Sequence, residues 1–155
     1  MNNNDILRRI RYAFDFNDTA MMNLFSLGGH EATRAEISDW LKKDGDPAFQ
    51  SLNDKELAVF MNGMIIDKRG QKDEELPRPE KRLNNNIIFR KLKIALSLKD
   101  EDILDILKLV EVEISKHELS AFFRKPEQPQ YRLCKDQILR NFLHGLQIKY
   151  RDNKK

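Results

Sequence analysis

One cysteine, five prolines and six glycines are spread over 155 residues. The single thiol, Cys134, has no intrachain partner, which excludes a disulfide-stapled fold and sets a cytoplasmic home as the expectation. No stretch approaches the roughly 18 uninterrupted apolar residues that a membrane-spanning helix needs, so no membrane partner is expected. The start, Met1-Asn2-Asn3-Asn4-Asp5, lacks the basic-then-apolar order of a secretory signal. Charge of one sign is missing too. Against 28 Lys+Arg stand 25 Asp+Glu, a formal +3 that does not announce a nucleic-acid binder.

Reactive patterns are equally scarce. There is no glycine loop to cradle phosphate and no nucleophile-elbow sequence. His30, His117 and His144 lie far apart, and none has a Cys, Asp or Glu at metal-ligand spacing. The segment from Asp67 to Asp73 carries basic residues where a calcium loop needs oxygens, so it is rejected as one. No catalytic, cofactor-binding or metal-binding residue is assigned, and no cofactor is expected.

What the chain does have is itself, twice. An ungapped offset of 82 aligns residues 1–70 with 83–152, and nineteen pairs are then identical. Asn2/Asn84, Asn3/Asn85, Asn4/Asn86, Glu36/Glu118, Asp54/Asp136, Gly63/Gly145 and Arg69/Arg151 are among them. Other pairs swap like for like, such as Trp40/Phe122 and Met61/Leu143. The chain is therefore read as a first repeat over 1–70, a linker over 71–85 and a second repeat over 86–155 with a basic tail. The linker is polar, with Pro77 and Pro79 to stiffen it and four charges of each sign.

Each repeat reads as four short helices without strands. Helix one, about Asn4–Phe14, sets Ile6, Leu7, Ile10, Ala13 and Phe14 on one face, capped by the Asn run. Helix two, about Asp18–Leu27, opens on Asp18 as its cap and stops at Gly28-Gly29. Helix three, about Thr33–Lys43, opens on a Thr33-x-x-Glu36 capping box that recurs as Ser115-x-x-Glu118. Helix four starts near Asp54 and turns Leu57, Phe60, Met61 and Met64 inward. The fold class expected is all-α, a tandem repeat of two similar four-helix units that should correspond helix for helix. Cys134 falls opposite Leu52 and reads as a small buried residue. Gly63 and Gly145 sit inside helix four, where glycine costs about 1 kcal/mol against alanine, so a close helix neighbour is expected.

Three segments, each present twice, carry a resemblance: Asn-Asn-x-x-x-Arg, then Glu-x-[Thr/Ser]-[Arg/Lys]-x-Glu-[Ile/Leu]-Ser, then Asp-x-x-Leu-x-x-Phe-[Met/Leu]-x-Gly. In these the chain resembles the YehS-like family of small bacterial proteins over nearly its whole length. The resemblance implies a bacterial cytoplasmic protein and transfers no activity, cofactor or catalytic residue.

Most repeated polar residues have folding reasons, as caps or as cations at helix ends. Two sets are less well explained. Arg8, Arg9 and Arg11 recur as Arg90, Lys91 and Lys93, opposite the apolar stripe of helix one, and read as a solvated basic face. Arg34 and Lys116 place a cation in the first turn of helix three, where the macrodipole disfavours it. Either Glu31 and Glu113 pair with them, or they hold an anion at the helix N-terminus. Arg124 and Lys125 join these as candidate anion or partner contacts. Helices two and three also echo a helix-turn-helix, with Gly28 to Ala32 as a rather long turn.

Charge divides unevenly. Residues 1–70 hold 9 basic and 11 acidic residues, net −2, while residues 86–155 hold 15 and 10, net +5. If one repeat meets nucleic acid or an acidic partner, it is the second, although Asp100, Glu101, Asp102 and Asp105 of its helix two would repel phosphates. Three readings follow in order: a non-catalytic protein-binding or regulatory module with an unknown protein partner, a DNA- or RNA-binding regulator using helices one and three, and an enzyme.

Overall fold

The computed structural model describes residues 1–71 and 75–153. Lys72, Asp73 and Glu74, and the Lys154-Lys155 tail, lie outside the described residues, and with them part of the linker and the rejected calcium-loop segment. Eight α-helices follow in order: α1 Asn3–Phe14, α2 Asp18–Gly28, α3 Arg34–Leu41, α4 Asp54–Arg69, α5 Asn85–Ala95, α6 Asp100–Lys108, α7 Lys116–Phe122 and α8 Asp136–Gln147. A π-helical turn, Ile148–Asp152, extends α8. Among the described residues there is no strand, and no helix is long and apolar enough to cross a membrane. The fold is an all-α tandem repeat, and all four helix starts recur 82 residues on.

Start signals explain this regularity. Asn2 caps α1 with a reciprocal bond to Asp5, and Thr33 and Ser115 close the capping boxes of α3 and α7 with Glu36 and Glu118. The Thr33 main-chain N–H holds the Glu36 carboxyl below its usual range, ahead of a smaller contribution from His30. Two details differ from the sequence reading. Asn17, not Asp18, caps α2. Helix three ends at Leu41, because Lys42 turns extended (ψ 157°) into the proline loop. Lys42 and Lys43, and Arg124 and Lys125 in the other copy, therefore follow the helix rather than belong to it.

The Asn run does more than cap. Asn4 is 1% exposed and spends its whole carboxamide on main chain. Its Nδ2 donates to Trp40 O (2.9 Å) and Gln50 O (2.8 Å), and its Oδ1 accepts from Leu52 N (3.0 Å). Asn86 repeats this with Phe122 O, Arg132 O and Cys134 N at 3.0, 2.7 and 2.9 Å. Both amides thereby staple helix one to the loop that leads into helix four.

Asn3 and Asn85 hold the next element. They donate to Asp54 and Asp136, each at 2.7 Å. The second oxygen of each aspartate reaches the other repeat: Asp54 Oδ2 accepts from Leu83 N (2.8 Å), Asp136 Oδ2 from the Met1 nitrogen (3.3 Å). Asn85 first, and the Met1 ammonium second, keep the Asp136 carboxyl below its ordinary range.

The repeats pack as a reciprocal pair, α1 on α8 and α5 on α4. This is the isologous geometry of a symmetric dimer, made within one chain. Arg151 crosses this seam to Tyr12 O (2.9 Å) and Asp15 (3.2 Å), and its counterpart Arg69 crosses to Ser97 Oγ (2.7 Å). These two arginines act across the seam, a role beyond that of cations at a helix end. Inside each unit one aromatic position is exchanged. Leu7 and Phe25 of the first repeat become Phe89 and Leu107 of the second, so a phenyl ring changes helix while the volume is kept. Phe25 lies 5.0 Å from Phe60, and Phe89 lies 4.6 Å from Phe142.

The helix-four glycines are explained as expected. A Cβ on Gly63 would overlap the Leu24 carbonyl, and one on Gly28 that of Val59, so α2 and α4 touch backbone to backbone. In the second repeat α6 ends earlier, and a Cβ on Gly145 would lie 2.6 Å from Ile106 O and Cγ2. Gly63→Ala should therefore cost more than about 3 kcal/mol and Gly145→Ala roughly 1–3 kcal/mol, read as urea midpoints. Equal midpoints for the two variants would contradict this packing.

Candidate partner-binding surface

In the second repeat a cleft of about 620 Å³ opens between α7 and the start of α8. His117, Glu118, Ala121 and Phe122 form one side, and Pro129, Gln130, Arg132, Leu133, Lys135 and Ile138 the other. Leu133 is 69% exposed, the most exposed large apolar side chain among the described residues. Asn86 holds the Arg132 carbonyl and the Cys134 N–H; the Cys134 side chain is buried, while Arg132 and Leu133 are exposed. Cys134 itself is buried, and that burial, with the Asp136 carboxylate second, pushes its thiol up to about 12.

The equivalent surface of the first repeat is polar. Asp39, Gln50, Ser51, Asn53 and Glu56 stand where the second repeat has Ala121, Arg132, Leu133, Lys135 and Ile138. Asn53 and Glu56 close a capping box on α4, with Glu56 N donating to Asn53 Oδ1 (2.8 Å) and Asn53 N to Glu56 Oε1 (3.1 Å). At the start of α8 that box is gone, and Lys135 makes no side-chain cap. A cap contributes about 1 kcal/mol, so the second repeat has exchanged a folding device for an apolar, basic surface. Arg132 and Lys135 are exposed and pair with no carboxylate of the described residues.

The candidates named from the sequence are scattered by the fold. Arg8 donates to the Lys42 carbonyl (2.6 Å) and to Asp5, and Arg90 to the Phe123 carbonyl (2.6 Å), so both close the C-terminal end of helix three. Lys91 is not solvated: it sits in the seam against Asn62 (2.6 Å) and Glu80 (3.0 Å). Lys93 bonds Asp100 (3.1 Å) and lies over the Phe123 ring (4.4 Å). Arg11 is half-buried, and Arg9 is exposed and makes none of these contacts. The solvated basic face expected on helix one is thus reduced: Arg9 and Arg90 stay exposed, while Arg8, Lys91 and Lys93 are partly buried by their contacts and Arg11 is half-buried with its Nε unpartnered.

Arg34 and Lys116 are exposed and pair with helix two. Arg34 Nε lies 4.0 Å from Asp18, and Lys116 Nζ lies 2.8 Å from Glu101. This pair raises the Lys116 ammonium and lowers the Glu101 carboxyl. Glu31, the partner expected for Arg34, instead accepts from Ser26 Oγ (2.6 Å). Arg124 is half-buried beside Arg90 and Tyr131, and Lys125 is exposed, its N–H bonded to Gln128 (2.9 Å).

None of the candidate anion or partner contacts named from the sequence lines the α7–α8 cleft. The signal that marks it lay in the mismatches of the self-alignment, Ser51/Leu133 and Asn53/Lys135 above all, while the identities drew the attention.

Comparison with known proteins matches the duplicated architecture. The model of a family described as protein of unknown function (DUF1456) matches residues 3–70 and again residues 85–152. The chain is also 45% identical over 148 residues to the uncharacterized protein YehS of Escherichia coli strain K12, covering 94% of each. No solved structure matches.

The missing cap gives a direct check. Lys135→Asn should restore the bond to the Ile138 N–H and stabilise the chain by about 1 kcal/mol, while Asn53→Lys should cost a similar amount. Calorimetric midpoints that move the other way would show that the cleft was not gained at the expense of folding.

Proposed function

We propose that this chain, which belongs to the DUF1456 family, is a non-catalytic protein-binding module whose second repeat holds an acidic segment of its partner. The observation that carries the reading is the α7–α8 cleft, where an exposed Leu133 stands between unpaired Arg132 and Lys135 at a site the first repeat keeps polar and capped. The chemistry selects its occupant. An apolar side chain of the partner meets Leu133 and Ile138, and flanking Asp or Glu meet the two cations. The small size of the cleft suits a short linear segment better than a folded face. The net +5 of the second repeat against −2 in the first steers an acidic partner to this side. A cytoplasmic home belongs to the same proposal, supported by a lone cysteine kept as a buried free thiol.

The DNA- or RNA-binding alternative draws on helices one and three. Arg8, Arg90, Lys91 and Lys93 are already held by carbonyls or side-chain acceptors, which leaves few cations there for phosphates. The enzyme reading has no set of converging groups to argue from.

Synthetic peptides with one Leu, Phe or Trp flanked by Asp and Glu, followed by fluorescence anisotropy, test the proposal. Acidic peptides should bind and lose at least tenfold in affinity on Leu133→Ser, about 1.4 kcal/mol. Selection of basic peptides, or affinity indifferent to Leu133→Ser, would overturn the reading. Tight, steeply salt-dependent binding of mixed DNA would favour the nucleic-acid alternative instead.

A further inference from the structure

A second cleft, of about 780 Å³, lies elsewhere, at the seam where α4 meets α5, with Leu76 and Pro77 of the connecting segment at its edge. Its floor is polar and its walls are apolar. Asn62 is only 2% exposed, and its Oδ1 accepts from Lys91 Nζ at 2.6 Å. Its Nδ2 is enclosed and has no hydrogen-bond partner. Buried carboxamide donors are nearly always satisfied, so an acceptor is missing at this point. The Lys91 side chain is itself 11% exposed, held 3.0 Å from Glu80. Ile65, Ile94 and Leu76 supply the apolar wall, and Arg69 stands at the mouth.

The other seam shows the same construction closed. There Tyr12 takes the place of Ile94 and Arg151 that of Arg69. The Arg151 guanidinium lies 3.8 Å over the Tyr12 ring and donates to the Tyr12 carbonyl (2.9 Å), so ring and cation occupy the space themselves. At the open seam Ile94 offers no such ring, and Arg69 reaches Ser97 Oγ (2.7 Å), the counterpart of the Asp15 that Arg151 bonds. His144, exposed, replaces Asn62 at the closed seam, so the buried carboxamide with a free N–H has no counterpart there.

We propose that the open seam is a binding site for a small carboxylate with an apolar tail. The carboxylate accepts from Asn62 Nδ2 and approaches Lys91, and the tail lies along Ile65, Ile94 and Leu76. The unpaired Asn62 donor, rather than net charge, selects the carboxylate as an acceptor: Lys91 and Glu80 offset each other, and Arg69 at the mouth is opposed by the exposed Glu75. A volume of this size lies within the usual range for small-molecule sites. Because the ligand would touch both α4 and α5, it would tie the two repeats together and raise the thermal midpoint. The site is separate from the α7–α8 cleft and does not rest on it.

Sodium decanoate titrated into the full ¹⁵N-labelled chain is the test. Saturable shifts are expected for the Asn62 side-chain amide and for main-chain amides of residues 62–66 and 91–94, with a Kd below about 1 mM. Decyltrimethylammonium, with the same tail and the opposite charge, should leave these signals in place. Ile94→Tyr, which rebuilds the closed seam, should weaken decanoate at least tenfold with unchanged circular dichroism. Should that variant fail to fold, Asn62→His, the residue of the other seam, carries the same expectation. Leu133→Ser should leave decanoate binding untouched, which separates this site from the partner cleft. Absent or unsaturable shifts, shifts spread over the whole chain, an equal response to the cation, or full binding by both variants would overturn the proposal.

Discussion

Two buried carboxamides hold the loops on which everything else rests. Asn4 and Asn86 each use both N–H groups and the oxygen on main-chain atoms that no helix satisfies. An apolar residue of similar size would leave two carbonyls and one N–H unmet in the core, each costing about 1–3 kcal/mol. Fixing these loops fixes where α4 and α8 begin, because Asn3 and Asn85 then reach Asp54 and Asp136. In each staple the residue that gives its N–H to the asparagine is buried, Leu52 in one repeat and Cys134 in the other, while the two residues before it are exposed, Gln50 and Ser51 or Arg132 and Leu133. A folding device therefore presents the surface from which a binding role is argued.

Duplication then separates what must be kept from what is free to change. The seam between repeats is reciprocal, so Asp54 with Asp136 and Arg69 with Arg151 are used twice and are identical. Away from those contacts the copies diverge, and they do so with physical consequences. The first repeat keeps its helix-four cap and a backbone-close pair of glycines. The second gives up the cap, shortens α6 and turns basic and apolar around Leu133. At the seams Tyr12 closes one side while Ile94 leaves the other open. Two copies supply the scaffold, and their differences mark the surfaces.

Much of the fold was legible because its signals are local and occur twice. Thr33 with Glu36 and Ser115 with Glu118 mark helix three from sequence alone, and glycine inside helix four points to close packing. Helix ends were harder. Lys42 continues a helical pattern, yet the loop pinned by Asn4 pulls it extended. The basic face of helix one misled for a similar reason. Periodicity shows which side of a helix is polar but not what covers it, and at Lys91 the cover is Glu80 and Asn62 across the seam. Arg34 and Lys116 find acids on helix two that are distant in sequence, beyond the reach of a local pairing rule. The cleft beside Leu133 was written in the chain as well, in mismatches between copies that gain meaning once the fold shows Leu133 exposed beside α7.

If the α7–α8 cleft is a binding surface, as proposed, the first repeat's scaffold can present it too. Transplanting it measures that claim. Asp39→Ala, Gln50→Arg, Ser51→Leu, Asn53→Lys and Glu56→Ile, made together, copy these cleft positions onto the first repeat. Calorimetric titration with an acidic peptide that binds the natural chain should then give two equivalents per chain in place of one. A stoichiometry that stays at one, with the grafted chain folded, would contradict it.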